Sequence, residues 1–491
     1  MSVQKILFAS SEAYPLIKTG GLGDVSGALP RALQQQGMDV RLILPFYTSV
    51  RSQAGKTRIV ASFFIYDDGI TIHETRLPGS RVKVWLVENA AAFDRPGNPY
   101  LDENGHSWSD NASRFTLFCR AIVRLSTNQA GIDWQPDIVH CNDWQTGLVP
   151  ALLQYETDAP ASVFTIHNMA YQGNFSAGTF TQLGLPADLW HYEKLEFYDQ
   201  VSFIKGGLVF ADRINTVSPS YATEIQSAEF AYGMEGVLQA RSEDLSGILN
   251  GIDTSIWNPG TDDLIPSHYN RHQLDNKVAN KTALQQRVGL TVDPELPLAG
   301  MISRMVEQKG FDELLDAMET LASLPMQILI LGNGEKKFER ALTDWSKQYP
   351  EKIQVVIGYD EALSHLIEAG SDLYLMPSRF EPCGLNQMYS LRYGTLPVVR
   401  NVGGLADTVI HASAVNIEQG LANGFVVEEA GSEALISTIQ YALELYQQPR
   451  SWKALQLTAM AEDHSWKRSA SEYRQLYQQA EQDHTAAAAV G

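Results

Sequence analysis

Short apolar runs alternating with stretches of helical spacing dominate this chain, and the pattern occurs twice. In the first half the runs are KILFA at 5–9, VRLILPFY at 40–47, DIVHCN at 137–142, SVFTIHN at 162–168 and RINTVS at 213–218. Runs this short and this apolar are strands buried on both faces, and helices between them make the sheet parallel. Residues 57–88 break the rhythm with turns at Asp67-Asp68-Gly69 and Pro78-Gly79-Ser80, which predicts an antiparallel excursion. The second half restarts with LAGMIS at 298–303, QILILG at 327–332, IQVVIG at 353–358, DLYLMPS at 372–378, LPVVR at 396–400 and GFVV at 424–427. The predicted fold class is α/β: two Rossmann-like doubly wound domains whose strand ends, and so whose ligand loops, face a deep cleft.

A length of 491 residues exceeds what one core usually fills and supports two domains of about 200 to 250 residues. The boundary is expected in the turn-rich stretch near Asn250 to Pro259, giving domains 1–250 and 251–465. Residues 466–482 are helical in pattern and expected to pack back on the first domain, while the low-complexity tail 483–491 is expected to fray.

A formal net charge of -20 argues against nucleic acid or an anionic membrane as the main partner. Cys119, Cys141 and Cys383 form no C-x-x-C pair, so neither a disulfide framework nor a cysteine zinc site is indicated. With no run of 18 apolar residues and no signal-peptide pattern, a cytoplasmic location is expected.

Polar loops follow several predicted strands. Lys18-Thr19-Gly20-Gly21-Leu22-Gly23-Asp24 joins the first strand to a helix expected from Asp24. Its glycines let backbone N–H groups approach an anion, to which the helix start and Lys18 add positive charge. The stretch is neither G-x-G-x-x-G nor a Walker loop, and a tight turn would look the same. In HCNDWQ, Asp143 either orients a sugar hydroxyl or caps the helix that follows. His167 ends a strand and is either a contact residue or a packed core histidine.

In the second half, Arg304 and Lys309 stand five residues apart in a strand-to-helix turn, suited to gripping two phosphates. Solvated surface charge is the competing reading. Ser378 to Leu385 follows another strand, with Glu381 beside Gly384 and Leu385, whose N–H groups open the next helix. Gly403-Gly404 repeats the glycine-turn device and is a possible second cradle. No H-E-x-x-H, G-x-S-x-G or D-x-D occurs, so metal sites of those kinds are unsupported, and Lys or Arg is left to neutralise a leaving diphosphate.

With these residues in place, the chain resembles the bacterial glycogen synthase and plant starch synthase family over roughly residues 5–480. The motifs are KTGGLGDV at 18–25, HCNDWQTG at 140–147, FTIHNMAYQG at 164–173, YGMEG at 232–236, LNGID at 249–253, SRMVEQKG at 303–310, SRFEPCGLNQ at 378–387, YGTLPVVR at 393–400 and GGLADTV at 403–409. The resemblance implies a GT-B fold and a retaining hexosyltransferase that moves glucose from ADP-glucose to the non-reducing end of an α-1,4-glucan such as glycogen. No metal and no cofactor is implied.

By the same resemblance, Lys18 and Gly21 approach the nucleotide phosphates, and Arg304 and Lys309 stabilise the departing diphosphate. Asp143, His167, Asn168, Glu381, Cys383 and Gly384 would hold the donor glucose. Leu385 and Asn386 would meet the distal phosphate, and Tyr359 would lie near the base. Two positions depart from the pattern. Tyr389 stands eight residues after Glu381, where many related transferases have a second glutamate, and Gly23 stands where relatives often carry Ala. Three other readings compete: a UDP-glucose-dependent glucan synthase, a non-catalytic sugar-binding protein, and a nicotinamide dehydrogenase. The missing glycine fingerprint disfavours the last, and the cation pair disfavours the second.

Overall fold

This computed structural model describes residues 3–490, so the last residue of the predicted tail, Gly491, lies outside the described residues. The chain divides into two compact units: one through Gly251 that also includes the helix from Trp466, and one comprising Ile252–Ser465.

The first unit is built on a nine-stranded sheet. Its strands are β1 Lys5–Ala9, β2 Asp39–Pro45, β3 Arg58–Ile65, β4 Asp68–Arg76, β5 Lys83–Glu88, β6 Ile138–Asn142, β7 Ala161–Ile166, β11 Arg213–Thr216 and β12 Leu245–Gly247. A separate three-stranded sheet holds β8 Asn174–Ser176, β9 Glu196–Phe197 and β10 Gln200–Ser202. The main sheet runs β12-β11-β7-β6-β1-β2-β5-β4-β3, and every pairing is parallel except those of β3 with β4 and of β4 with β5. The excursion at 57–88 is therefore an antiparallel hairpin whose return strand, β5, lies parallel to β2. Central strands buried at every position, such as Ile138–Asn142 and Ala161–Ile166, account for the uniformly apolar runs.

The helix Trp466–Val490 packs on this unit through buried Ala470, Tyr473, Leu476, Tyr477 and Ala480. The expectation that the chain frays after residue 482 is corrected. The helix continues to Val490, anchored by an Asp483 ion pair to Arg213 at 2.5 Å and by His484, whose ring bonds Asp212 at 3.0 Å. Tyr477 reaches further in, its hydroxyl 2.8 Å from His140 Nδ1.

The second unit carries β13 Leu298–Ile302, β14 Gln327–Gly332, β15 Ile353–Ile357, β16 Leu373–Met376, β17 Leu396–Arg400 and β18 Phe425–Val427. All are parallel, in the order β15-β14-β13-β16-β17-β18. This is the Rossmann order, with the winding reversing between β13 and β16. In the first unit the reversal falls between β1 and β6. In such sheets ligands bind beyond the strand ends at the reversal. The loops so placed follow β1 and β6 in one unit and β13 and β16 in the other, and these are the loops the sequence marks as polar.

Candidate active site

In the second unit the turn after β13 docks on the loop after β16. Gly310 makes this possible: its φ is +74°, and a Cβ there would lie 2.1 Å from the Pro377 carbonyl oxygen. Lys309, just before it, forms an ion pair with Glu381, whose Oε2 also accepts from the Ser378 hydroxyl at 3.1 Å. Arg304 is exposed, and its guanidinium makes no hydrogen bond or ion pair among the described residues. A cavity of about 190 Å³ opens here, and Arg304, Lys309, Glu381, Gly384, Leu385 and Asn386 all reach its wall. It thus gathers six of the predicted residues.

The helix Asn386–Tyr393 starts at this wall without a side-chain cap, which leaves its positive end toward the cavity. The Asn386 side chain is committed elsewhere: its Nδ2 donates to the Tyr374 hydroxyl at 2.6 Å and to the Ile302 carbonyl at 2.9 Å, tying β13 to β16. Its Oδ1 and its backbone are left for a ligand. Cys383 is buried, 5% exposed, and not on the cavity wall. Tyr359, 80% exposed in the loop after β15, is not on the wall either.

Gly403 and Gly404 are not a second cradle. Added Cβ atoms would lie 2.1 Å from the Glu381 carbonyl oxygen and 2.2 Å from that of Cys383, and Gly404 N–H donates to Glu381 O at 3.2 Å. These glycines let the Glu381 loop lie directly on the helix Gly403–Thr408 and so fix where Glu381 stands.

In the first unit the glycine turn does not follow β1 directly. Residues 10–20 intervene, and the helix starts at Gly21 rather than Asp24. Glu12 explains the difference. Its buried carboxylate accepts from the N–H groups of Thr19 and Gly20, from the Thr19 hydroxyl at 2.6 Å and from the Tyr100 hydroxyl at 2.5 Å. Two of the N–H groups expected to meet a phosphate therefore already hold a carboxylate. Gly21 keeps an open face, with nothing within 4 Å of a built Cβ. Lys18 pairs with Asp24 at 2.7 Å, and burial still holds the Asp24 carboxyl above its usual range. A Cβ added at Gly23 would lie 3.1 Å from Lys18 Cβ, tighter than an ordinary contact, so the Gly-for-Ala departure is a matter of packing.

Asp143 sits at φ +56°, a strained position for a residue with a side chain. It makes no side-chain cap to the turn Trp144–Thr146, so the capping alternative is not realised. Its carboxylate instead accepts from His167 N–H at 2.7 Å and from Asn168 N–H, joining the ends of β6 and β7. Burial pushes it up to about 7 despite these bonds.

His167 is buried and held down to about 3, so its ring is neutral. Asn142 donates its amide N–H to Ala9 O at 3.0 Å, which leaves Asn142 Oδ1 to accept from His167 Nε2 at 2.9 Å. The ring proton is thus on Nε2 and Nδ1 is bare. His167 is 9% exposed, between the two sequence readings: fixed by the core, yet at the strand end. Sequence reasoning missed Glu12 and Asn142. The one available signal was an amide at the last position of β6 and an acid three residues beyond β1.

Transfer of a group from an anionic leaving group is the chemistry a pocket with two cations and a helix start serves, and with two Rossmann-type sheets it places the chain among the GT-B glycosyltransferases. Residues 5–240 match the family model of the starch synthase catalytic domain, and residues 284–455 match that of the group 1 glycosyl transferases. The chain is 54% identical over 476 residues to glycogen synthase 1 of Methylococcus capsulatus, covering 97% of this chain and 96% of that one. It is 53% identical to the glycogen synthase of Cellvibrio japonicus, covering 97% and 99%. Among solved structures it is similar to the catalytic domain of starch synthase IV from Arabidopsis thaliana bound to ADP and acarbose, at TM-score 0.87, 33% identity and coverage of 98% and 100%. The chain belongs to the glycogen synthase and starch synthase family and is a hexosyltransferase. The non-catalytic and dehydrogenase readings fall with this finding.

Among the described residues no helix is long and apolar enough to cross a membrane, and no group of three or more His, Cys, Asp and Glu is placed to hold a metal.

Proposed function

We propose that the chain transfers glucose from ADP-glucose to the non-reducing 4-hydroxyl of an α-1,4-glucan, retaining configuration and using no metal or other cofactor, in the cytoplasm. The observation that carries this reading is the cation pair Arg304 and Lys309 on the wall of a cavity that also meets a helix start.

In this reading the bond from glucose C1 to the diphosphate oxygen breaks with its electrons going to the diphosphate. Arg304 and Lys309 meet the charge that develops there, and the backbone at Leu385 and Asn386 meets the distal phosphate. Lys309 then shares its charge between Glu381 and the leaving group. The acceptor hydroxyl attacks from the face the diphosphate leaves and gives its proton to a phosphate oxygen, so no protein base is consumed. Asp143, Asn168, Glu381 and Gly384 position the glucose. The His167 carbonyl and the neutral ring around it stabilise the positively charged sugar without a competing cation. Lys18 and Gly21 approach the nucleotide phosphates, Cys383 supports the sugar loop from its buried position, and Tyr359 lies near the base. Three buried cysteines free of disulfides fit a reducing compartment.

ADP as the nucleotide is supported by the ADP named in the similar starch synthase IV structure. The test is incorporation of labelled glucose into glycogen from ADP-glucose and, separately, from UDP-glucose, with and without EDTA. Incorporation from ADP-glucose that survives EDTA supports the reading. Preference for UDP-glucose would replace the donor, and loss with EDTA would overturn metal independence.

A further inference from the structure

The acidic first unit carries a basic groove that the reaction does not use. It lies over the hairpin β3–β4 and strand β5, is lined by Lys56, Arg58, Arg76 and Lys83 together with Thr57, Thr75 and one acid, Glu74, and has a volume of about 640 Å³. Strand register makes the arrangement specific. Lys83 stands opposite Arg41 on β2 and opposite Arg76 on β4, so three cations form one row across three strands. Like charges directly opposite destabilise a sheet, and the acids that face this row, Glu74 and Asp39, are two against its three cations and the neighbouring Arg58.

In the next row Trp85 is opposite Glu74, and Glu74 opposite Arg58. Glu74 is already engaged by Arg58 at 2.6 Å and by the Trp85 ring N–H at 3.2 Å. Asp39, the other nearby acid, accepts from the Trp134 ring N–H at 2.7 Å. Arg41 is held rigidly beneath, its guanidinium 4.1 Å from the Trp134 ring centre and 4.8 Å from that of Trp85, with a buried Nε that has no partner. Among the described residues the Lys56 and Lys83 side chains make no hydrogen bond or ion pair.

We propose that this groove is a second anion site, for a small phosphoryl compound carrying two or more negative charges, the class of diphosphates and sugar phosphates. The volume lies within the range of small-molecule sites. Several fixed cations with too few carboxylates match an anion whose oxygens accept from more than one of them. Lys83 opens β5 and Arg41 is the third residue of β2, so the groove is at the amino ends of these strands, the opposite end of the sheet from the loops after β1 and β6. It is therefore no subsite of the candidate active site, and the inference does not rest on the reaction proposed above.

The test is calorimetric titration of the full chain with inorganic pyrophosphate in an Arg304→Ala/Lys309→Ala background, which removes the other cation pair. Pyrophosphate is expected to bind this background, and Arg76→Gln/Lys83→Gln added to it is expected to weaken binding by about tenfold or more. Lys56→Gln, an exposed change that leaves the sheet intact, is expected to weaken it by a smaller factor. In the otherwise unaltered chain Arg76→Gln/Lys83→Gln is expected to leave glucosyl transfer unchanged. Absence of binding in the background, or affinity that ignores all three side chains, overturns the proposal. So does citrate binding as tightly as pyrophosphate, or a change in sedimentation with pyrophosphate affinity intact, which would assign the groove to another protein surface.

Discussion

The loops after β6 and β7 in the first unit and those after β13 and β16 in the second hold their polar groups in opposite ways. In the first, Asp143, His167 and Asn142 are buried and hydrogen-bonded to one another's loops within the unit, and the His167 ring is neutral. In the second, Arg304 is exposed with no partner among the described residues, and Lys309 shares its charge with one carboxylate. The contrast matches what each would recognise in the proposed reaction. Sugar hydroxyls are read by fixed donors and acceptors in dry surroundings, whereas a diphosphate gaining charge needs cations with hydrogen bonds still to give.

Substitutions in each region should therefore fail differently. Lys309→Ala carries the largest expected effect, a fall in kcat of about 10²- to 10³-fold with a smaller change in KM, measured by glucose incorporation. An effect confined to KM would mean that Lys309 binds the ground state and the transition state equally.

Gly403→Ala comes next, because a Cβ at φ +44° would overlap the Glu381 carbonyl oxygen at 2.1 Å. A loss of stability on the order of 2–3 kcal/mol and of most transfer is expected, read by denaturant unfolding and the same assay. Normal activity would show that the Glu381 loop can move without cost. Glu381→Gln removes the carboxylate that Lys309 pairs with, so ADP is expected to bind about three- to tenfold more tightly while transfer falls. Unchanged ADP affinity would show that Lys309 does not reach the diphosphate.

The smallest effect tests the buried region. Folding holds Asp143 near 7, above its unfolded value near 4, so between these the folded chain binds the extra proton. Stability from this group is thus greatest below about pH 4 and falls as pH rises toward about 7. Asp143→Asn removes that cost. Its melting temperature, compared with the parent chain, is expected to rise by a few degrees between about pH 5 and about pH 8, although transfer falls. A pH-independent difference would mean that Asp143 is ionised throughout.

The strands of both sheets were legible because burial on both faces leaves runs such as Ile328 to Leu331 with no polar position. The alternation read as parallel sheets covered by helices, whereas the strand order, and with it the reversal at β13 and β16, is visible only once the strands pair. What escaped depends on contacts between distant residues. Glu12 carries no mark in the sequence, yet it takes the N–H groups of Thr19 and Gly20 that the glycine spelling offered to a phosphate. The pairing of Lys18 with Asp24 crosses the turn and has no periodicity to betray it. Only the end of the final helix, from residue 483, reads as a fraying tail, because alanines carry no pattern, while the residues that anchor it, Asp483 and His484, find partners some 270 positions away. The cation row of Arg41, Lys83 and Arg76 exists only once three strands are in register.

The central claim is that Arg304 and Lys309, rather than a metal, carry the leaving diphosphate. Single-turnover transfer of labelled glucose from ADP-glucose to glycogen in EDTA, compared between the parent chain and Arg304→Ala/Lys309→Ala, tests it most directly. Full transfer by the parent and none by the double variant is the predicted result, and transfer by the double variant at near the parent rate would contradict it.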